Sequence, residues 1–137
     1  MDYQLDNKYT DNDEARVKAG FAAYSEDKIG VSRRFKDWVV RGEDGLCIGH
    51  LQMMIVGKDG YIKSLWVDES HRGEGLAKFL MNAAEDFAVE TGFNQIWVDT
   101  YSYQAPEFYK AYGFVLECEI PEYQKTHSRI FLRKNLC

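Results

Sequence analysis

The sequence predicts an α/β fold whose mixed, mostly antiparallel sheet is flanked by helices. Three observations predict it. Two short connections, Arg41-Gly42-Glu43-Asp44-Gly45 and Gly57-Lys58-Asp59-Gly60, join three apolar runs, which is the pattern of antiparallel hairpins. After them a strand, a glycine turn, a helix with one apolar stripe and a further strand follow in order, so the sheet is mixed. The 137 residues are 45% hydrophobic, enough for one domain (1–137) with a real core and too few for two.

The elements follow in order. Tyr3 to Leu5 reads as a short first strand. Asp11-Asn12-Asp13-Glu14 supplies capping residues and acidic charge suited to a helix start. Val17, Phe21 and Tyr24 recur at helical spacing, so a helix runs to about Glu26, and Gly30 to Arg34 is a polar connection. Trp38-Val39-Val40 is a strand, Leu46 to Val56 the next, and Tyr61 to Val67 a third with buried-strand content. A helix spans Gly75 to Thr91, because Leu76, Phe79, Leu80, Ala83, Ala84 and Phe87 make one stripe and Gly92 stops it. Gln95 to Tyr101 is a strand, and Pro106 opens a short helix that ends at Gly113. Phe114 to Ile120 and Ser128 to Arg133 complete the sheet.

Composition narrows the function. A net charge of −5 argues against a nucleic-acid binder, which usually presents a basic surface. Cys47, Cys118 and Cys137 are odd in number and widely spaced; Cys47 and Cys118 read as small core residues and Cys137 as exposed. His50, His71 and His127 form no metal-ligand spacing with them, so no metal site is expected. No apolar run reaches membrane-spanning length, and Met1-Asp2-Tyr3-Gln4 does not start a signal peptide. A cytoplasmic domain without a membrane partner is expected.

The strand end Val67-Asp68-Glu69-Ser70-His71-Arg72-Gly73-Glu74-Gly75-Leu76-Ala77 carries the chemistry. Two glycines at a helix start let the backbone approach a ligand, and first-turn amides have no partner inside the helix. Those amides and the positive dipole end favour an anion. No Gly-x-x-x-x-Gly-Lys-Ser/Thr is present, and Lys78 occupies the place of the third glycine of Gly-x-Gly-x-x-Gly. The anion is not held by a standard nucleotide loop.

Arg72-Gly73-Glu74-Gly75-Leu76-Ala77 resembles the Arg/Gln-x-x-Gly-x-Gly/Ala signature of the GNAT superfamily of acyl-CoA N-acyltransferases. Ala105-Pro106-Glu107-Phe108-Tyr109-Lys110-Ala111-Tyr112-Gly113-Phe114 is similar to its Ala-x-x-Phe-Tyr-x-x-x-Gly-Phe segment. The two blocks stand in the family's order, and the likeness covers about Trp38 to Leu132; the run Val98 to Tyr109 looks most like small bacterial acetyltransferases of this type.

The resemblance implies a GNAT-like fold with splayed central strands and acetyl-CoA as cosubstrate. The amides of Arg72, Gly73, Glu74, Gly75, Leu76 and Ala77 would receive the pyrophosphate, with Glu74 turned outward and Arg72 either on the anion or paired with Asp68 or Glu69. The backbone of Leu65, Trp66 and Val67 would line the pantetheine gap, an N–H near Val67 serving the oxyanion. Tyr109 matches the tyrosine that meets the CoA sulfur as general acid. Ser102 stands where the family often has Asn, so its contact to the cofactor is open.

No single base stands out. Asp99 and Glu119 are the preferred candidates, with His50 and Glu117 behind them and His127 a candidate for the acceptor pocket. Trp38, Trp66, Trp97, Tyr101, Tyr103 and Tyr123 either floor that pocket or pack the sheet. The expected activity is acetyl transfer to a primary amine of a small molecule by direct attack. A CoA-binding sensor without turnover and a protein N-terminal or lysine acetyltransferase are the alternatives. Family resemblance also allows a homodimer.

Overall fold

The computed structural model describes residues 2–123 and 125–136, so Cys137 lies outside the described residues. Contacts divide the chain into two compact units, one ending at Arg33 and one beginning at Arg34. The first unit contains helix α1, Asp11–Ile29. Its N-cap is Thr10, upstream of the expected acidic run: Asp13 N–H donates to Thr10 Oγ1 at 3.2 Å and Thr10 N–H to Asp13 Oδ2 at 2.9 Å. None of its residues is buried, and Val17, Phe21 and Tyr24 are exposed despite their spacing. Tyr3 to Leu5, expected as a strand, forms no regular element and is exposed. Three residues cannot hold a strand without a neighbour to pair with.

The second unit is a six-stranded sheet with two helices. Its strands are β1 Arg33–Arg41, β2 Cys47–Val56, β3 Asp59–Val67, β4 Gln95–Tyr101, β5 Val115–Tyr123 and β6 His127–Asn135. Their order across the sheet is β1-β2-β3-β4-β6-β5. β2 and β3 pair antiparallel, as the short glycine turn requires, and β4–β6 and β5–β6 are also antiparallel. Helix α2, Leu76–Thr91, carries the chain across so that β4 lies parallel to β3. The fold class is therefore the expected α/β fold with a mixed, mostly antiparallel sheet.

The core lies on one face of that sheet. Leu51, Met53 and Ile55 of β2, Ile62 of β3, and Ile96 and Val98 of β4 alternate inward to meet Leu80, Met81, Ala84 and Ala88 of α2. Helix α3, Pro106–Ala111, adds Tyr109 to the same cluster, with Phe114 beyond its end. Cys47 and Cys118 do not belong to it: both are exposed free thiols. Cys118 sits on the edge strand β5, where every residue before Tyr123 is exposed, so its strand-like sequence brought no burial. No helix among the described residues is long and apolar enough to cross a membrane.

Candidate active site

One irregularity in β3 makes the site. Gln52 pairs with Ser64 and Met53 with Ile62, so Lys63 is an extra residue on β3. A bulge of this kind bends and twists its strand. The parallel pairing of β3 with β4 stops at the same place: Asp59 to Ile62 match Gln95 to Val98, and nothing beyond. The two strands part there and leave a cleft of about 380 Å³.

Tyr109 stands in the wall of this cleft, 7% exposed, with its ring edge-on to Phe108 and Phe114. Pro106 at the first turn and the bond from Phe114 N–H to Tyr109 O at 3.0 Å fix its short helix. Burial, and then the charge of Asp99, push its hydroxyl up to about 12. Leu65 and Asp99 line the same cleft.

Asp99 is not a free base. Its Oδ1 accepts from the Tyr61 hydroxyl, and its Oδ2 accepts from Arg129 Nε at 2.9 Å and Nη2 at 2.8 Å. Glu119 is not brought to the cleft; it lies on exposed β5 and accepts from Ser128 Oγ at 3.3 Å. Glu117 pairs with Arg133 at 2.8 Å, and His50 with Asp37 at 2.7 Å. Ser102 points its Oγ at the start of β6, where it accepts from Ser128 N–H at 3.0 Å and stands 3.4 Å from His127 Nδ1. That hydroxyl is engaged within the chain, away from the cleft lining.

The glycine turn lies between β3 and α2. Gly73 and Gly75 have φ of +81° and +82°, a region other residues enter only with strain, and a Cβ at either would meet nothing within 4 Å. The turn is thus open to an approaching molecule. No side chain caps the first turn of α2, and no acidic residue sits in it. Glu74 does turn outward, exposed and 3.2 Å from His71 Nδ1. Arg72 is exposed and donates from Nε to the Val67 carbonyl at 3.2 Å, so it ties the turn to the end of β3. Trp66 is 46% exposed, and Leu76 and Ala77 begin α2.

Sequence reasoning missed Tyr61, Lys63 and Gln104 as cleft residues. Gln104 Oε1 accepts from Thr100 Oγ1 at 3.2 Å and from Tyr101 N–H at 3.1 Å, shaping the loop that leads to α3. No signal in the chain marks the bulge that exposes Lys63, and the Tyr61–Asp99 contact spans 38 positions.

Comparison with known proteins agrees with this architecture. The model of the "Acetyltransferase (GNAT) family" matches residues 3–114. The chain belongs to that family. This GNAT protein is 39% identical over 98 residues to blasticidin-S acetyltransferase of Streptomyces morookaense, covering 70% of this chain and 69% of that relative. An acetyltransferase from Bacillus cereus ATCC 14579 superposes with a TM-score of 0.79 at 29% identity, over 98% of both chains. A Bacillus anthracis str. Ames protein solved in complex with acetyl coenzyme A shares the fold, with a TM-score of 0.63 and 21% identity over 72% of this chain and 61% of that one. The GNAT chain is accordingly an acyl-CoA-dependent N-acyltransferase.

Proposed function

We propose that the enzyme transfers an acetyl group from acetyl-CoA to a primary amine of a small molecule by direct attack. The observation that carries this reading is the cleft opened where β3–β4 pairing stops, with buried Tyr109 in its wall. Family membership supports the acyl-CoA donor, and the blasticidin-S relative supports a small-molecule acceptor.

The residues fit the donor in two places. The open, positive-φ turn Gly73–Gly75 at the uncapped start of α2 suits the pyrophosphate of CoA, with the amides of Gly73 to Ala77 as donors, since the Arg72 amide already donates to Glu69 O at 3.4 Å. The β4-facing edge of Leu65 to Val67, past the last β3 residue paired with β4, suits the pantetheine amides and the thioester oxygen, while β2 still pairs with the opposite edge. Attack forms the C–N bond and breaks the C–S bond. The nitrogen gives its surplus proton to water, and the sulfur gains one.

Tyr109 is the group placed to serve that sulfur. A hydroxyl pushed up to about 12 would give up its proton to a thiolate of ordinary pKa, about 8.5, at a cost of roughly 5 kcal/mol. Its favourable contribution is a hydrogen bond to the charge building on sulfur, with solvent completing the protonation. General-acid character at Tyr109 is thus expressed as donation in the transition state.

The test is purified protein with acetyl-CoA and a panel of blasticidin S, spermidine, benzylamine and lysine, read as free thiol and product mass. Turnover of at least one amine above hydrolysis is expected. CoA binding without any turnover would overturn the reading. The exposed edge strand β5 also suits a homodimer, which light scattering would detect.

A further inference from the structure

Successive residues of a strand point to opposite faces, so β4 turns Val98 and Thr100 into the core beside Tyr109 and Asp99 away from it. All four line the same cleft. The opening therefore passes through the sheet, with Tyr109 on one face and Asp99 on the other.

The face with Asp99 holds a built polar group. Tyr61 stacks on Trp97 with ring centroids 4.1 Å apart and a tilt of 22°, and its hydroxyl donates to Asp99. Arg129 grips the other carboxylate oxygen and lies 5.1 Å over the Phe131 ring. Aromatic contacts thus fix both flanks of the Tyr61–Asp99–Arg129 chain.

We propose that Tyr61 receives the acceptor amine at this mouth of the cleft, with Asp99 and Arg129 as the residues that position it. The proposal rests on the acetyl-transfer reading above. A phenol has one proton and two lone-pair sites. Asp99 takes the proton, so the Tyr61 oxygen faces the cleft as an acceptor. An attacking amine directs its lone pair at the carbonyl and keeps N–H bonds to donate. Arg129 neutralises Asp99, so the carboxylate does not hold the acceptor as an ammonium ion and the uncharged amine that attack requires can bind.

As the C–N bond forms, the nitrogen becomes positive and its N–H a stronger donor, so its hydrogen bond to the Tyr61 oxygen strengthens. The contact is then worth more in the transition state than in the ground state. No proton passes through Tyr61. Burial first, and the Asp99 hydrogen bond second, push its hydroxyl up to about 12, so it stays neutral.

The test uses the full chain with acetyl-CoA and two probe amines, blasticidin S and, at high concentration, benzylamine. Tyr61→Phe should lower kcat/KM for the amine by about tenfold or more, through both a higher KM and a lower kcat. Its acetyl-CoA dissociation constant by calorimetry should stay within about twofold, a change of under 0.5 kcal/mol. Asp99→Asn should behave alike, and Arg129→Lys should retain more activity than Arg129→Gln. Unchanged amine kinetics in Tyr61→Phe overturn the proposal, and so does an equal loss of acetyl-CoA affinity, which marks a collapsed cleft. A wild-type enzyme that binds acetyl-CoA but acetylates none of blasticidin S, spermidine, benzylamine and lysine overturns the small-amine reading, and this one with it.

Discussion

Tyr109 belongs to the core and, in the proposed reaction, also serves the leaving sulfur. Its ring belongs to the core cluster, while its hydroxyl meets the cleft. Tyr109→Phe keeps the ring and removes the donor. It should lower kcat by roughly 10- to 100-fold, the worth of a hydrogen bond to a charged group, with acetyl-CoA affinity little changed. Rate and binding measured on the same preparation check this, and an unchanged kcat would remove Tyr109 from the leaving-group role. Tyr109 was legible in the chain because its block has a recognisable spacing. Tyr61 and Arg129 were not, because their partner Asp99 lies 38 and 30 positions away and only strand register brings them together.

At the scale of elements, the bulge in β3 decides where the cleft begins. Deleting Lys63 would leave Met53–Ile62 and Gln52–Ser64 paired and keep Leu65 facing inward opposite Leu51. The protein should fold with unchanged circular dichroism, yet lose acetyl-CoA binding because β3 can then continue along β4. Lys63→Ala, which keeps the bulge, should bind; equal binding by both variants would sink the idea. The glycine turn makes a separate prediction. Gly75→Glu places a carboxylate and a Cβ at φ +82° in the proposed anion site, so acetyl-CoA affinity should fall by at least about tenfold, and stability by ~1 kcal/mol. Calorimetric titration and a thermal melt separate the two effects.

Element order in the second unit was readable from periodicity and turn residues, since glycine turns, Pro106 and the α2 stripe all act locally, but β1, read as Trp38 to Val40, runs over Arg33–Arg41, and β3 begins at Asp59 inside the expected turn. Burial was less readable. The apolar runs of β1, β2 and β5 look similar on paper, yet only central β2 buries a full face, and edge β5 leaves Cys118, Leu116 and Ile120 exposed.

The molecule as a whole is most sensitive where core and cleft meet. Leu51 is 0% exposed at the centre of the core, and Leu51→Ala should cost ~2–5 kcal/mol by transfer and cavity terms, seen as a lowered denaturation midpoint. Three tyrosines, Tyr61, Tyr109 and Tyr112, are each pushed from 10.0 up to about 12, with burial the first cause in every case. Between pH 10 and 12 the unfolded chain loses these protons while the folded one keeps them. Stability from this source is therefore full below pH 10 and falls as pH rises toward 12. Alkaline unfolding curves should be shallower for Tyr109→Phe than for the wild type.

By itself the chain determined its class, its mixed sheet, the glycine turn before α2 and the family that the Tyr109 block marks, because each is a short-range pattern of residue types. The cleft, the engagement of Asp99 and the place of Tyr61 were decided only by tertiary structure. They depend on a one-residue bulge and on the register of β3 against β4 and β4 against β6, which pairing energies across the whole sheet select.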